Sequence, residues 1–65
     1  MPSEVRFAKV QERLEQAGYN LVRVHGSHHV FQKAGRPLVS IPVHHGKVKT
    51  VYVREVKKIL EAESD

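Results

Sequence analysis

The sequence predicts an α+β fold in which two helices pack on one face of a three-stranded antiparallel sheet, in the order α-β-β-β-α. Three observations predict it: an amphipathic pattern in residues 4–17, three short segments rich in β-branched and aromatic residues between positions 19 and 43, and a second helical pattern in residues 50–62. An antiparallel sheet tolerates one face toward water, so we expect the face left bare by the helices to be the working surface.

The first helix is predicted from apolar residues at spacings of three and four, namely Phe7, Val10, Leu14 and Ala17. Pro2-Ser3-Glu4 is typical of a helix start, with Ser3 as the expected N-cap. Gly18 is the expected stop, because a left-handed residue after a helix carries little penalty only when it lacks a Cβ.

The three strands are predicted at residues 19–24, 28–33 and 38–43, with turn signals at 25–27 and 34–37. Pro42 cannot donate a ladder hydrogen bond, so the third strand is expected at an edge of the sheet. Residues 44–47, His-His-Gly-Lys, are predicted to form a loop. Residues 50–53 are locally strand-like, but the long apolar stripe and Lys57 and Lys58 in its later half favour a helix over residues 50–62.

A chain of 65 residues predicts a single domain, residues 1–65, and a domain of this size buries only roughly 60% of its unfolded-state surface. The small free energy of folding expected of such a domain makes a stabilising partner plausible and leaves the oligomeric state open. No cysteine is present, so disulfides and thiolate metal ligands are excluded. No signal peptide or transmembrane segment is visible, so we expect a soluble, cytoplasmic protein with no membrane partner.

The positive charge is concentrated in the middle of the chain. Residues 21–49 contain five cationic residues and no acidic residue, whereas the segments on either side are close to neutral. All five histidines fall in the same segment, so their protonation would add to a field that is already positive. This distribution favours a polyanionic partner such as RNA or DNA.

The histidines at positions 25, 28, 29, 44 and 45 leave four roles to consider: metal ligands, acid–base catalysts, a pH switch, or solvated surface residues. Metal binding is disfavoured because no carboxylate lies between Glu15 and Glu55 and because adjacent histidines on a strand point to opposite faces. We therefore predict no metal and no cofactor. His25, His44 and His45 are interpreted as solvated residues, and one ring of the pair at 28 and 29 must face the helices.

Acid–base catalysis would suit cleavage of RNA. Attack of a ribose 2′-hydroxyl on the adjacent phosphate requires removal of one proton and delivery of another, and histidine titrates where both are feasible. Neighbouring Lys or Arg would stabilise the charge that builds on the phosphate oxygens. Basic charge alone also explains nucleic-acid binding without cleavage, so the chemistry supports the two hypotheses about equally.

Three segments occur in an informative order: LEQAGYNLVRV at 14–24, GSHHVF at 26–31 and PLVSIPVHHGKVK at 37–49. Together they resemble the HicA family of type II toxin–antitoxin systems, also called YcfA-like mRNA interferases. The similarity runs from the first helix to the second. Many relatives have Gly-Thr before the second helix and Ala-Gly-Leu at its end, where this chain has Lys49-Thr50 and residues 60–63 read LEAE; neither departure touches GSHH.

The resemblance implies a fold similar to a double-stranded-RNA-binding domain. It also implies a metal-independent endoribonuclease that cuts mRNA and is neutralised by a HicB-type antitoxin. The histidine of the Gly-Ser-His motif would be His28, with His29 held in reserve. The rival hypothesis is a non-catalytic RNA-binding module, or a degenerate relative that only binds its partner protein.

The candidate RNA-binding residues are Ser27, Lys33, Arg36, Lys47 and Lys49. Ser27 and Gly26 also fit an ordinary hairpin turn. One histidine leaves the second proton-transfer group unassigned, with His29, His44, a lysine and water as the alternatives.

Overall fold

The computed structural model of the protein describes residues 3–63. The elements are β1 (Glu4–Arg6), α1 (Phe7–Gln16), β2 (Asn20–His25), β3 (His28–Gln32), β4 (Val39–Pro42), β5 (Lys47–Lys49) and α2 (Thr50–Glu63). Strands β2, β3 and β4 form a three-stranded antiparallel sheet in that order, and β1 pairs with β5 in a separate two-stranded sheet. The predicted α-β-β-β-α arrangement is confirmed, and each strand of the added small sheet leads directly into a helix.

The start of α1 differs from the prediction. Residues 4–6 are extended and the helix begins at Phe7, so the predicted start at residue 4 is wrong. Arg6 holds the N-cap position without a side-chain hydrogen bond, which also contradicts the prediction of Ser3 as the cap. Pro2, the first residue of the predicted helix start, lies outside the described residues.

Pairing with a distant segment explains the extended conformation of residues 4–6. Val5 lies opposite Val48, which is completely buried, and the carbonyl of Ser3 accepts a hydrogen bond of 3.0 Å from the backbone N–H of Thr50. The strand therefore satisfies its backbone groups through a ladder and covers part of the core. A local capping signal is worth about 1 kcal/mol, which such long-range pairing and burial can exceed.

The end of α1 agrees with the prediction. Gly18 has φ of 98°, and its N–H donates to the carbonyl of Glu15 at 3.0 Å, while the N–H of Tyr19 donates to the carbonyl of Leu14 at 2.9 Å. These two bonds define a Schellman motif, which satisfies the last carbonyls of the helix and turns the chain toward β2.

The buried apolar side chains of the described residues form one cluster. They come from both helices, from Tyr19 just before β2, and from strands β3, β4 and β5: Val10, Leu14, Tyr19, Phe31, Val39, Ile41, Val48 and Val56. The helices therefore share a core with one face of the large sheet, as predicted. Within residues 3–63, neither helix packs against the other face of that sheet, and we call it the outer face.

The remaining elements lie close to the positions predicted from the sequence. Strand β4 lies at an edge of the sheet, as Pro42 requires, and α2 covers the predicted residues 50–62 with one residue more. Residues 44–47 form a tight turn closed by hydrogen bonds between the backbones of His44 and Lys47. Among residues 3–63, neither helix combines the length and the apolar character needed to cross a membrane.

Candidate active site

The β2–β3 hairpin brings two histidines together. Its loop consists of Gly26 and Ser27 alone, and His25 lies directly opposite His28 in the strand register. Gly26 has φ of 62°, which fits the first central position of a type II′ hairpin turn and is unfavourable for residues with a Cβ. Opposite residues in an antiparallel pair share a face, so both imidazoles project from the same side of the sheet.

The alternation along β3 determines which side this is. Phe31 is fully buried, and residues two apart share a face, so His29 lies on the core side and His28 on the outer face. His28 is exposed, as is His25 opposite it. The predicted catalytic histidine thus stands on the surface that the helices leave bare.

His29, the reserve candidate, occupies a different environment. Its ring centroid lies 4.5 Å from that of Phe7 at an interplanar angle of 54°, and its Nδ1 lies 3.4 Å from the carbonyl oxygen of Ser27. His29 is therefore the ring that the strand directs toward the helices. A phosphate bound on the outer face would meet His28 and not His29.

Ser40 on β4 contacts His28. The Oγ of Ser40 lies 3.5 Å from Nδ1 of His28, a long contact between exposed groups on adjacent strands. Sequence reasoning missed Ser40. The available signal was its position between Val39 and Ile41, since alternation with two buried residues places the hydroxyl on the outer face.

Two of the predicted RNA-binding cations are engaged with α2. The Nζ of Lys33 lies 3.1 Å from Oε1 of Glu63, and the Nε of Arg36 lies 3.9 Å from Oε2 of the same carboxylate. Lys33 follows the last residue of β3, whereas His28 is the first. This ion-pair cluster is therefore at the opposite end of the strand from His28.

The other two cations lie on β5. Lys49 is opposite Glu4, while Lys47 is opposite Arg6, and all four residues are exposed. Like charges directly opposite each other on a strand pair are destabilising, and an anion between them would relieve the repulsion. Arg6 was not predicted as a site residue, because its position beside Lys47 depends on the unforeseen strand β1.

A backbone hydrogen bond joins the β4–β5 connection to the β2–β3 hairpin. The N–H of Val43 donates to the carbonyl of Ser27 at 2.7 Å, and the N–H of Phe7 donates to the carbonyl of Gly46 at 2.8 Å. Half-buried Ser27 therefore contributes to the site through its backbone, and the 44–47 turn is held at the same end of the molecule as His28. Within residues 3–63 no group of three His, Asp or Glu side chains is arranged to hold a metal ion.

A family model described as the HicA toxin of bacterial toxin–antitoxin systems matches residues 7–62, nearly the whole chain. The chain belongs to the HicA toxin family. The HicA match begins with α1 and ends within the last turn of α2, so it contains the hairpin, His28 and Ser40 but leaves out β1. Comparison with the curated proteins gave no match. Membership confirms the resemblance drawn from the three sequence segments and establishes the toxin class.

Proposed function

We propose that this HicA toxin is an endoribonuclease that cleaves mRNA in the cytoplasm without a metal ion, and that His28 transfers a proton at the scissile phosphate. The observation that carries the proposal is the position of His28: it is exposed on the outer face, at a hairpin end held next to the 44–47 turn. Imidazole is the side chain best suited to proton transfer near neutral pH.

The reaction follows from the position of that ring. An exposed nitrogen of His28 accepts the proton of a ribose 2′-hydroxyl, and the 2′-oxygen forms a bond to the adjacent phosphorus. The bond to the 5′-oxygen breaks as a second group or water gives that oxygen a proton. The products are a 2′,3′-cyclic phosphate and a new 5′-hydroxyl. General acid–base catalysis of this type contributes on the order of 10²- to 10⁴-fold to a rate.

Cationic side chains near this end of the molecule would bind the RNA backbone. Lys47 and Arg6 lie on neighbouring positions of the small sheet, and Lys49 follows on the same side. We assign them the main electrostatic contribution. Lys33 and Arg36 contribute less because Glu63 offsets their charge.

A HicB-type antitoxin is the proposed protein partner. The outer face and the basic positions beside it are open, so an acidic or surface-covering protein could block RNA binding by electrostatic complementarity. Neutralisation would then require no chemical change in the toxin. The same surface would serve a non-catalytic RNA-binding module, which makes RNA binding without cleavage the alternative to be tested.

Incubation of the purified protein with labelled single-stranded RNA in excess EDTA tests the proposal. We expect cleavage under chelation, and we expect His28→Ala to lose it by 10²-fold or more while keeping the circular dichroism spectrum of the wild type. Gel retardation without cleavage would support the binding module. Cleavage that requires added zinc or magnesium, or full activity of His28→Ala, would contradict the proposed mechanism.

A further inference from the structure

Resting on the proposed ribonuclease function, we propose that His25 is the general acid that complements His28. A single imidazole accounts for only one of the two proton transfers in the cleavage of RNA. The second group must reach the 5′-oxygen of the same phosphate to which His28 brings the 2′-oxygen. The hairpin provides such a group.

The two-residue turn fixes the relationship between the rings. His25 and His28 are paired directly across the ladder, where Cβ atoms lie about 5 Å apart and side chains point to the same face. Each ring extends beyond its Cβ, so two imidazoles at this separation can contact opposite sides of one phosphate. The other candidates do not share this position: His29 packs against Phe7, and His44 belongs to the β4–β5 turn.

The surroundings of the pair favour proton transfer by histidine over other groups. The strand register and alternation place these residues on the outer face with the two rings: Asn20, Arg23, Val30, Gln32, Ser40 and Pro42. Arg23 is the only charged group in this set, and the set contains no carboxylate. The two imidazoles are therefore the candidates for general acid and general base in this set of residues.

Ser40 distinguishes the two rings. In this proposal Nδ1–H of His28 is the donor to Oγ of Ser40 across their 3.5 Å contact, which leaves the lone pair of Nε2 directed to solvent, as a base requires. No corresponding hydrogen bond orients His25 among the described residues. We therefore assign removal of the 2′-hydroxyl proton to His28 and donation to the leaving group to His25.

The cleavage step balances with these assignments. Nε2 of neutral His28 takes the proton of the 2′-hydroxyl, the 2′-oxygen bonds to phosphorus, and the bond between phosphorus and the 5′-oxygen breaks. Protonated His25 gives its proton to the departing 5′-oxygen. Each ring ends in the protonation state in which the other began, and exchange with water restores both.

Two RNA oligonucleotides that differ in one atom test the assignment. One has the ordinary 5′-oxygen at the mapped cleavage site, and the other has a bridging sulfur at the same position. A thiolate is a far better leaving group than an alkoxide, since thiols have pKa values near 8.5, so it departs without a proton donor. Single-turnover rates are measured for the wild type, His25→Ala, His28→Ala and the control His45→Asn, in which an exposed imidazole outside the sheet is replaced by a residue that tolerates the positive φ of 54°.

We expect His25→Ala to cleave the oxygen substrate about 10²-fold more slowly than the wild type, and to cleave the sulfur substrate within a few-fold of the wild type. His28→Ala should be slow on both substrates, and His45→Asn should match the wild type on both. The pH profile of His25→Ala on the oxygen substrate should also lose the fall in rate at high pH, because that fall reflects loss of the donor's proton.

Other outcomes distinguish failure of the general-acid assignment from failure of the proposed ribonuclease function. Equal slowing of both substrates by His25→Ala would show a structural or RNA-binding role, and wild-type rates on both would show no role; each overturns the general-acid assignment alone. Rescue of His28→Ala by the sulfur substrate would reverse the roles and also overturns it. Absence of cleavage by the wild type would overturn the ribonuclease function itself.

Discussion

The hydroxyl of Tyr19 donates a hydrogen bond to Oε2 of Glu63, which lies 44 residues further along the chain. Burial, followed by this hydrogen bond, raises the pKa of Tyr19 to about 12. The same bond, with Lys33 beside it, lowers the pKa of the Glu63 carboxyl below its usual value. The Nζ of Lys33 also lies 5.6 Å from the centre of the Tyr19 ring, so the last turn of α2 is fixed to the residue before β2 and to the residue after β3.

Replacing Glu63 by Gln should therefore lower the thermal stability of the protein at neutral pH. Because the pKa of Glu63 is depressed in the folded state, its contribution is present above the pKa of the unfolded carboxyl and is lost as the pH falls through the folded value. The difference in Tm between the wild type and Glu63→Gln should shrink toward zero in acid. Glu55→Gln, an exposed change on the same helix, is the control and should leave Tm nearly unchanged at both pH values.

Replacing Gly26 by Ala should destabilise the hairpin and reduce cleavage. A Cβ at this position meets no atom within 4 Å, so the cost comes from φ of 62° and not from a clash. Holding a non-glycine residue in a disfavoured backbone region costs on the order of 1–3 kcal/mol. Urea denaturation should show this loss, whereas Gly35→Asn, at a turn away from the histidine pair, should keep cleavage at the wild-type rate.

Replacing His28 or His29 by Leu, one at a time, should show which face of β3 carries the cleavage activity. His29→Leu keeps an apolar contact with Phe7, so we expect stability within about 1.5 kcal/mol of the wild type and cleavage within a few-fold. His28→Leu should instead lose cleavage while remaining folded. Loss of cleavage by a well-folded His29→Leu would contradict the assignment of the outer face as the working surface.

The salt dependence of RNA binding should separate the two groups of cations. For single strands, log K falls with log salt by about 0.7 for each phosphate neutralised. Lys47→Gln should reduce this slope by about one such contact, because Lys47 and Arg6 meet on an exposed pair of strands. Lys33→Gln should change the slope less and lower Tm more, since Lys33 pairs with Glu63. A larger change in slope for Lys33→Gln than for Lys47→Gln would indicate that the RNA binds near the other end of β3.

Sequence reasoning succeeded where the signal is local. The stop at Gly18, the three central strands and the edge position of Pro42 each follow from the preferences of a few neighbouring residues. The start of α1 failed because Val5 is placed by pairing with Val48, which no local pattern reveals. The same pairing places Arg6 beside Lys47, so this part of the basic surface could not be predicted from local sequence patterns either.

The sequence contains a local signal for the pairing of His25 with His28. A two-residue turn between His25 and His28 places them opposite each other, and the apolar Phe31 three residues after His28 assigns both to the outer face. The interpretation of His25 as a solvated residue considers each ring by itself and leaves out this pairing. The long-range contacts of Lys33 with Glu63 could not be read this way, since they depend on where α2 ends in space.

The small sheet has a consequence for any shortened form of the toxin. The stretch recognisable as HicA begins at residue 7, yet β1 precedes it and supplies the partner of β5. A polypeptide trimmed to the recognisable stretch would leave β5, which contains Val48, without its partner strand. Unpaired strand edges promote intermolecular β-association. The minimal stretch that can be recognised is therefore shorter than the minimal stretch that can be expected to stay monodisperse in the test tube.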